Sequence, residues 1–399
     1  MMTYDVIVLG GGAAGFFAAL SAKNAYPHAK VAILEKTAVL LSKVRVSGGG
    51  RCNVTHACFD PTLLVKNYPR GSKELIGPFH RFGPQQTVEW FQERSVELKT
   101  EDDGRMFPIT DNSETIIDCL VQEAKKLGVE IFFRERIETI EKTENGFTLV
   151  GRENSIFQAN KLILATGSQA DGFAFAKHLG HTIQEPVPSL FTFNVPNSPL
   201  HELSGISFES VQIALKGSSF SQTGPLLITH FGFSGPAALK LSAFAARPLN
   251  ENHYEVELLI DWLPHLSLEK IHHILLSLKQ KSPQKSLFSE NPFHLPKRFW
   301  KLMLGPIDEK KLNDISLKEL NTLSQQLHQD PYQVKGKTTH KEEFVTCGGI
   351  NLKEVNFKTM ESKMCPGLYF AGEILDIDGI TGGFNFQNAW TTGFIAGSS

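Results

Sequence analysis

The sequence predicts an α/β fold in which both ends of the chain build one parallel-sheet domain around an inserted β-rich and helical module. Three observations predict it. At the N terminus a buried strand runs into a glycine turn, a helix and a second buried strand. At the C terminus another buried strand ends in Gly-Glu and is followed by a helix. Between them, from about Ser189, strands separated by turns and then helices replace the βα alternation. The expected boundaries are 1–188 and 340–399 for the two parts of the first domain, 189–262 for the β-rich insert and 263–339 for the helical insert.

Tyr4 to Leu9 (YDVIVL) is a β-branched run suited to a strand buried on both faces. Gly10-Gly11-Gly12-Ala13-Ala14-Gly15 follows, then helix formers from Phe16 to Lys23. Lys30 to Leu34 (KVAIL) is the second strand, and Glu35 comes at once after it, twenty residues beyond Gly15. Gly10 permits the tight turn, Gly12 lets backbone N–H groups approach a pyrophosphate, and Gly15 allows close helix–strand packing. The helix N terminus favours the phosphate charge. A carboxylate at 35 accepts hydrogen bonds from ribose hydroxyls and disfavours a 2′-phosphate, so the dinucleotide is FAD or NAD rather than NADP.

The next segments favour FAD. A plain NAD enzyme would continue in βαβ units, whereas Leu41 to Ser47 leads into Gly48-Gly49-Gly50-Arg51-Cys52-Asn53, a loop able to press backbone against a flat ligand. Asp111 to Leu127 carries a helical apolar stripe, with Gly128 as C-cap and Val129 to Phe133 as a strand. Glu135 to Ala159 reads as a β-meander turning at Glu144-Asn145-Gly146, and Lys161 to Gly167 as the strand that returns, ending in the small-residue turn Ala165-Thr166-Gly167.

In the middle of the chain Leu190 to Val195, Ile206 to Leu215 and Tyr254 to Leu259 read as strands of a barrel-like module. His230 to Pro236 is a glycine-bearing loop before a helix, Ala237 to Ala246. Ser267 to Lys279 is a further helix, and the helical stretch extends to about Gln329. The insert is expected to cover the cofactor and supply part of the substrate pocket.

Gly367 to Glu373 (GLYFAGE) is a buried strand ending in Gly-acid, where the carboxylate suits a ribityl chain. Gly382-Gly383-Phe384-Asn385 then opens a helix whose N terminus stabilises negative charge on a reduced flavin ring. Together with the N-terminal turn, this predicts a Rossmann-like FAD-binding domain with a β-meander.

The segments SGGGRCN, ISFESVQ, THFGFSGPA, FVTCGGI and KTMESKMCPGLYFAGEILDIDGITGGFNFQNAW resemble the YhiN/BaiN-like family of FAD-binding oxidoreductases, some of them labelled aminoacetone-oxidase-type, over nearly the full chain. The resemblance implies a split FAD domain with an inserted domain. It implies flavin contacts from Gly10, Gly12, Gly15, Glu35, Lys36, Arg51, Cys52, Asn53, Thr166, Gly167, Gly372, Glu373, Gly383 and Asn385. Ala13, Ala14, Gly50, Ile137 and Phe384 complete the candidate cofactor-binding set. The family's labels point both to C=C reduction and to amine oxidation. Its familiar SGNGRCN has glycine at 49 here, which removes one side-chain hydrogen bond.

Lys+Arg (40) and Asp+Glu (42) nearly balance, so the whole molecule does not attract nucleic acid or membrane electrostatically. No apolar run reaches the length of a membrane span, and the first residues have no basic leader region, so a cytoplasmic enzyme is expected. Five scattered cysteines without C-x-x-C fit reduced thiols and no metal site. Cys52 and Cys58 are separated by five residues, one more than the redox pair of flavin-linked disulfide reductases, so Cys52 reads as a packing or flavin-contact residue. His230 and Cys347 are the candidates for acid–base or redox chemistry, each with a structural role as its alternative. His272-His273 lacks nearby ligands for a metal.

No second complete glycine fingerprint follows a strand. NAD(P)H, if it is the electron donor, reaches the flavin transiently through the substrate cleft. A carrier protein or dioxygen is the alternative electron partner. The leading expectation is hydride transfer between flavin N5 and a small organic substrate. The alternatives are a flavin-dependent RNA-modifying enzyme and a non-catalytic flavin-binding regulator. Seven Lys/Arg against two Asp/Glu between His265 and Lys301 give the RNA reading some support, but few aromatics interleave them. Nothing in the sequence sets the oligomeric state.

Overall fold

The two hydrophobic runs near the N terminus form adjacent parallel strands, β1 (Met2–Leu9) and β2 (Val31–Leu34), joined by helix α1 (Ala13–Ala25). Ile7, Val8, Ile33 and Leu34 are fully buried, as expected for strands covered on both faces. The computed structural model describes residues 1–152, 154–338 and 345–399. The insert boundary expected at 339–340 lies outside the described residues.

By contacts the chain divides into two units, Met1–Val187 with Lys341–Ser399, and Pro188–His340. In the first, helix α2 (Ser42–Gly50) follows β2, with non-helical backbone at Ser47, Gly48 and Gly49. A small antiparallel sheet comes next: β3 (Thr55–His56), β4 (Leu98–Thr100) and β5 (Arg105–Pro108), with β5 in the middle. After the amphipathic helix Glu114–Lys126, β6 (Glu130–Phe132) pairs parallel with β2. The expected meander is β7 (Ile137–Thr143), β8 (Gly146–Gly151) and β9 (Ile156–Leu164). β9 returns to lie parallel to β1, with Val8 opposite Ile163. On its other side β10 (Leu368–Phe370) adds a parallel strand from the far end of the chain. The central order is therefore β6-β2-β1-β9-β10, a Rossmann-type sheet.

Helix α3 (Phe384–Ser398) packs along α1. The two axes approach closely because a Cβ at Gly393 or Gly397 would lie 2.5 Å from Ala14 O or 2.0 Å from Ala18 O. Phe17 and Trp390 fill the remaining space, with ring centroids 4.8 Å apart.

The second unit holds a seven-stranded antiparallel sheet ordered Asp330–Lys335, Glu255–Asp261, Ser207–Leu215, Ser221–Ile228, Gly232–Ser234, Thr192–Asn194, Lys337–Thr338. Its first and last strands are separated only by Gly336 (φ +91°), whose N–H donates to Tyr254 O while its carbonyl accepts from Asn194 N. The sheet thus curls back on itself, which is the expected barrel-like module. The helices Leu268–Lys281, Lys297–Leu304 and Leu317–His328 share one apolar core with the sheet, including Phe208, Trp262, Phe299 and Leu320. The stretches read separately as β-rich and helical subdomains therefore form a single unit. The reason is long-range: Asp330–Lys335, placed by sequence in the helical part, pairs with Glu255–Asp261.

Candidate functional site

The glycine turn sits at the carboxyl ends of β1 and β9. Gly10 donates to Leu34 O at 2.9 Å and has φ +114°; a Cβ there would lie 2.4 Å from Ala165 O. At Gly15 a Cβ would lie 1.9 Å from Gly10 O. At Gly12 it would meet nothing within 4 Å. The first two glycines are thus set by packing, and the third faces open space. Gly12 is also the N-cap of α1 without a side-chain cap, so the N–H groups of Ala13 and Ala14 are offered to a ligand.

Glu35 is held rigidly at the rim. Its Oε2 accepts from Gly11 N and its Oε1 from Thr37 N, both at 2.8 Å. Each oxygen keeps a further lone pair, enough to accept from ribose hydroxyls. Across the turn, Gly372 packs over α1, since a Cβ there would lie 2.8 Å from Ala14 Cβ, and its N–H donates to Thr392 Oγ1. Glu373 approaches Gly167, whose Cβ position is 3.7 Å from Glu373 Oε2, and it pairs with Lys43 of α2. The Thr166 hydroxyl is buried without a partner. Uncapped N–H groups at a helix N terminus and a fixed rim carboxylate together fit the diphosphate and ribose of FAD.

A second group of predicted residues gathers around the start of α3. Asn53 joins the two motifs: with its amide oriented so that both atoms find partners, the nitrogen donates to Thr55 O at 3.0 Å and the oxygen accepts from Gly383 N at 2.9 Å. Gly383 (φ +89°) lies so close that a Cβ would be 2.5 Å from Thr55 O. Gly49 and Gly50, both left-handed, have nothing within 4 Å of a Cβ position. The backbone at Gly49 and Gly50 is thus open to an approaching ligand.

The side chains in this group have other duties. Asn385 uses both amide atoms on Gly379, accepting from its N–H at 2.8 Å and donating to its O at 2.9 Å. Arg51 lies 4.0 Å over the Phe107 ring and donates to Glu101 at 2.6 Å. Phe384 is buried and stacks on His56 with centroids 4.8 Å apart. These contacts fix the three side chains in place.

Cys52 adopts φ +62° and is completely buried; burial pushes its thiol up to about 12. A thiol so raised is protonated at neutral pH and is no nucleophile. Among the described residues Cys52 and Cys58 are both free. Cys347 is buried in the strand Val345–Ile350, which runs beside the Gly372–Ile374 turn. Lys36 pairs with Asp171 at 3.4 Å, as does Arg136, and Ile137 joins Arg136 and Asp171 in the lining of an open pocket of about 460 Å³. His230 lies in the second unit, on an exposed turn between Ser221–Ile228 and Gly232–Ser234.

The sequence reading missed the strap that holds the turn before α3. Arg70 and Asp378 form a buried ion pair and an antiparallel bridge. Ile380 N donates to Asn67 O at 2.9 Å, and the Tyr68 hydroxyl to Phe384 O at 2.6 Å. The signal was present as DIDG just before the double glycine, but its partner lies some three hundred positions earlier.

A family described as the HI0933-like protein Rossmann domain matches residues 4–399. The chain belongs to this family. A ribosomal RNA dihydrouridine synthase of Haemophilus influenzae is 31% identical over 98% of this chain and 97% of its own length. A 3-dehydro-bile acid delta(4,6)-reductase of Clostridium scindens is 28% identical over 98% of this chain and 97% of its own length. Among solved structures, 3-ketosteroid delta1-dehydrogenase of Sterolibacterium denitrificans superposes with a TM-score of 0.54 at 14% identity, covering 100% of this chain and 99% of that one. That likeness concerns the fold. The expected family and the FAD-dependent oxidoreductase class both stand for this HI0933-like chain. Among the described residues no helix is long and apolar enough to cross a membrane.

Glu35→Ala is expected to weaken FAD binding by about 1–3 kcal/mol, because the ribose hydrogen bonds are lost. Flavin retained after dialysis measures this, and unchanged retention would remove Glu35 from the site.

Proposed function

We propose that this protein saturates a carbon–carbon double bond conjugated to a carbonyl, using FAD held between the glycine turn and the start of α3. The observation that carries the reading is the pair of full-length relatives. One is named for reducing the delta(4,6) bonds of a 3-dehydro bile acid, the other for making dihydrouridine. Both names describe two hydrogens added across a ring double bond conjugated to a carbonyl. They favour the reductive label over amine oxidation.

When bound and reduced, FAD supplies the hydride for such a step, and the substrate takes up one proton. The protein's part is binding and orientation. The α1 N terminus and Glu35 hold the adenosine diphosphate half. Asn53 fixes Gly383 and Thr55 together, and the N terminus of α3 held there would favour negative charge on the ring. NAD(P)H entering the same cleft is the proposed electron donor.

Uridine in RNA is the second reading for the substrate, favoured by the H. influenzae relative. Lys270, Lys281, Lys297, Arg298 and Lys301 are exposed in the second unit, as a phosphate-contacting surface requires. Lys279 is not available for it, because its ammonium caps the carbonyls of Leu312, Asn313 and Ile315.

The test is anaerobic. The purified flavoprotein is reduced with NADPH or NADH, then mixed with a cyclic enone or with uridine-containing RNA. Return of the oxidised flavin band with one of them, together with a product two mass units heavier, is expected (a gain of about 2 Da, from one hydride and one proton). Reoxidation by dioxygen alone would overturn the reading.

A further inference from the structure

We propose that Lys43 is a cofactor-binding residue whose ammonium pairs with the diphosphate of FAD. The inference rests on FAD occupying the N-terminal turn and is independent of the substrate. α2 begins directly against that turn: Leu41 N donates to Gly11 O at 2.9 Å, and a Cβ at Gly11 would lie 2.7 Å from Leu40 Cδ2. Lys43 stands in the first turn of α2 and reaches across to Glu373, which lies next to Gly372 over the start of α1. Its ammonium therefore borders the space in front of the N–H groups of Ala13 and Ala14.

Electrostatics calls for a cation there. A diphosphate diester carries two negative charges, and a helix N terminus offers only about half a positive one. Two carboxylates, Glu35 and Glu373, share the rim with it. The neighbouring cations on this side are engaged outside the turn. Lys36 is paired with Asp171, Arg45 with Glu114, and Arg51 with Glu101. Lys43 alone among these four has a partner that is itself a cradle residue. Its side chain is about half exposed whereas that of Glu373 is largely buried, so the ammonium would meet an incoming phosphate while remaining paired with Glu373.

ADP separates this role from mere orientation of Glu373, since it carries the diphosphate but no ribityl chain or ring. Binding of FAD and of ADP to the full chain stripped of flavin is measured for the parent, Lys43→Met, Lys43→Arg, Glu373→Gln and the double variant Lys43→Met/Glu373→Gln. Lys43→Met is expected to weaken both ligands by about 10- to 100-fold, with or without Glu373, and the loss should shrink as salt rises. Lys43→Arg should keep most of the affinity. The proposal is overturned if Lys43→Met leaves ADP binding unchanged, or if its effect disappears in the Glu373→Gln background. A parent chain that binds neither FAD nor ADP would overturn the FAD site as well. A chain that binds both but reduces no double bond would overturn only the function proposed above.

Discussion

Gly15→Val is expected to give a protein that holds no FAD and loses about 3 kcal/mol of stability or more. The reason is steric and local. Even the first carbon of a side chain would lie 1.9 Å from Gly10 O, 3.1 Å from Gly10 C and 3.4 Å from Val8 Cγ1. These atoms belong to the end of β1 and the residue that follows it, and β1 is hydrogen-bonded on both sides by β2 and β9. α1 would have to lift off the sheet and take its N terminus away from the phosphate position. Gly12→Ala is the contrast. Its methyl group meets no protein atom, and φ −93° suits any residue. That variant should keep its fold within about 0.5 kcal/mol yet bind FAD poorly, because the methyl occupies the ligand's space. Thermal unfolding and flavin absorbance measure both. A coloured Gly15→Val protein with parental stability would refute the packing argument.

Arg70→Met should cost about 3–5 kcal/mol, the range seen when one partner of a buried ion pair is removed. Asp378 is 1% exposed and Arg70's side chain 12%. The guanidinium approaches with Nε and Nη2 on the two carboxylate oxygens, a bidentate geometry that lysine does not reproduce. Replacing both residues by apolar ones, Arg70→Met with Asp378→Leu, should recover much of the loss because no charge is left buried. Urea unfolding of the three proteins checks this. A single-variant loss below about 1 kcal/mol would mean that the remaining bonds, from Tyr68 and Ile380, hold the turn before α3 without it.

The parts of the site legible in the sequence were those whose geometry is local. YDVIVL, the glycines and KVAIL-Glu35 specify strand, turn, helix and strand within some thirty residues, and each glycine has a short-range reason. The β-meander was legible for the same reason, because Asn145-Gly146 marks the hairpin turn between Ile137–Thr143 and Gly146–Gly151. What escaped was set by pairing at long range. Thr55–His56 is too short to be seen as a strand, and exists because Arg105–Pro108 lies beside it. Asp330–Lys335 contains a proline and follows a helix, yet joins the inserted sheet. Asn385 and Arg51 had residue types suited to touching a ligand. The structure engages both with protein groups that lie six positions and fifty positions away.

The close seam between α1 and α3 bears on how the molecule is made. Ala14 and Ala18 are synthesised long before Gly393 and Gly397, which must nest against them. β1 likewise waits for β9, and β9 for β10. Contacts of such large sequence separation slow folding. The inserted unit can condense first, as a finished body carried between two halves still waiting to meet.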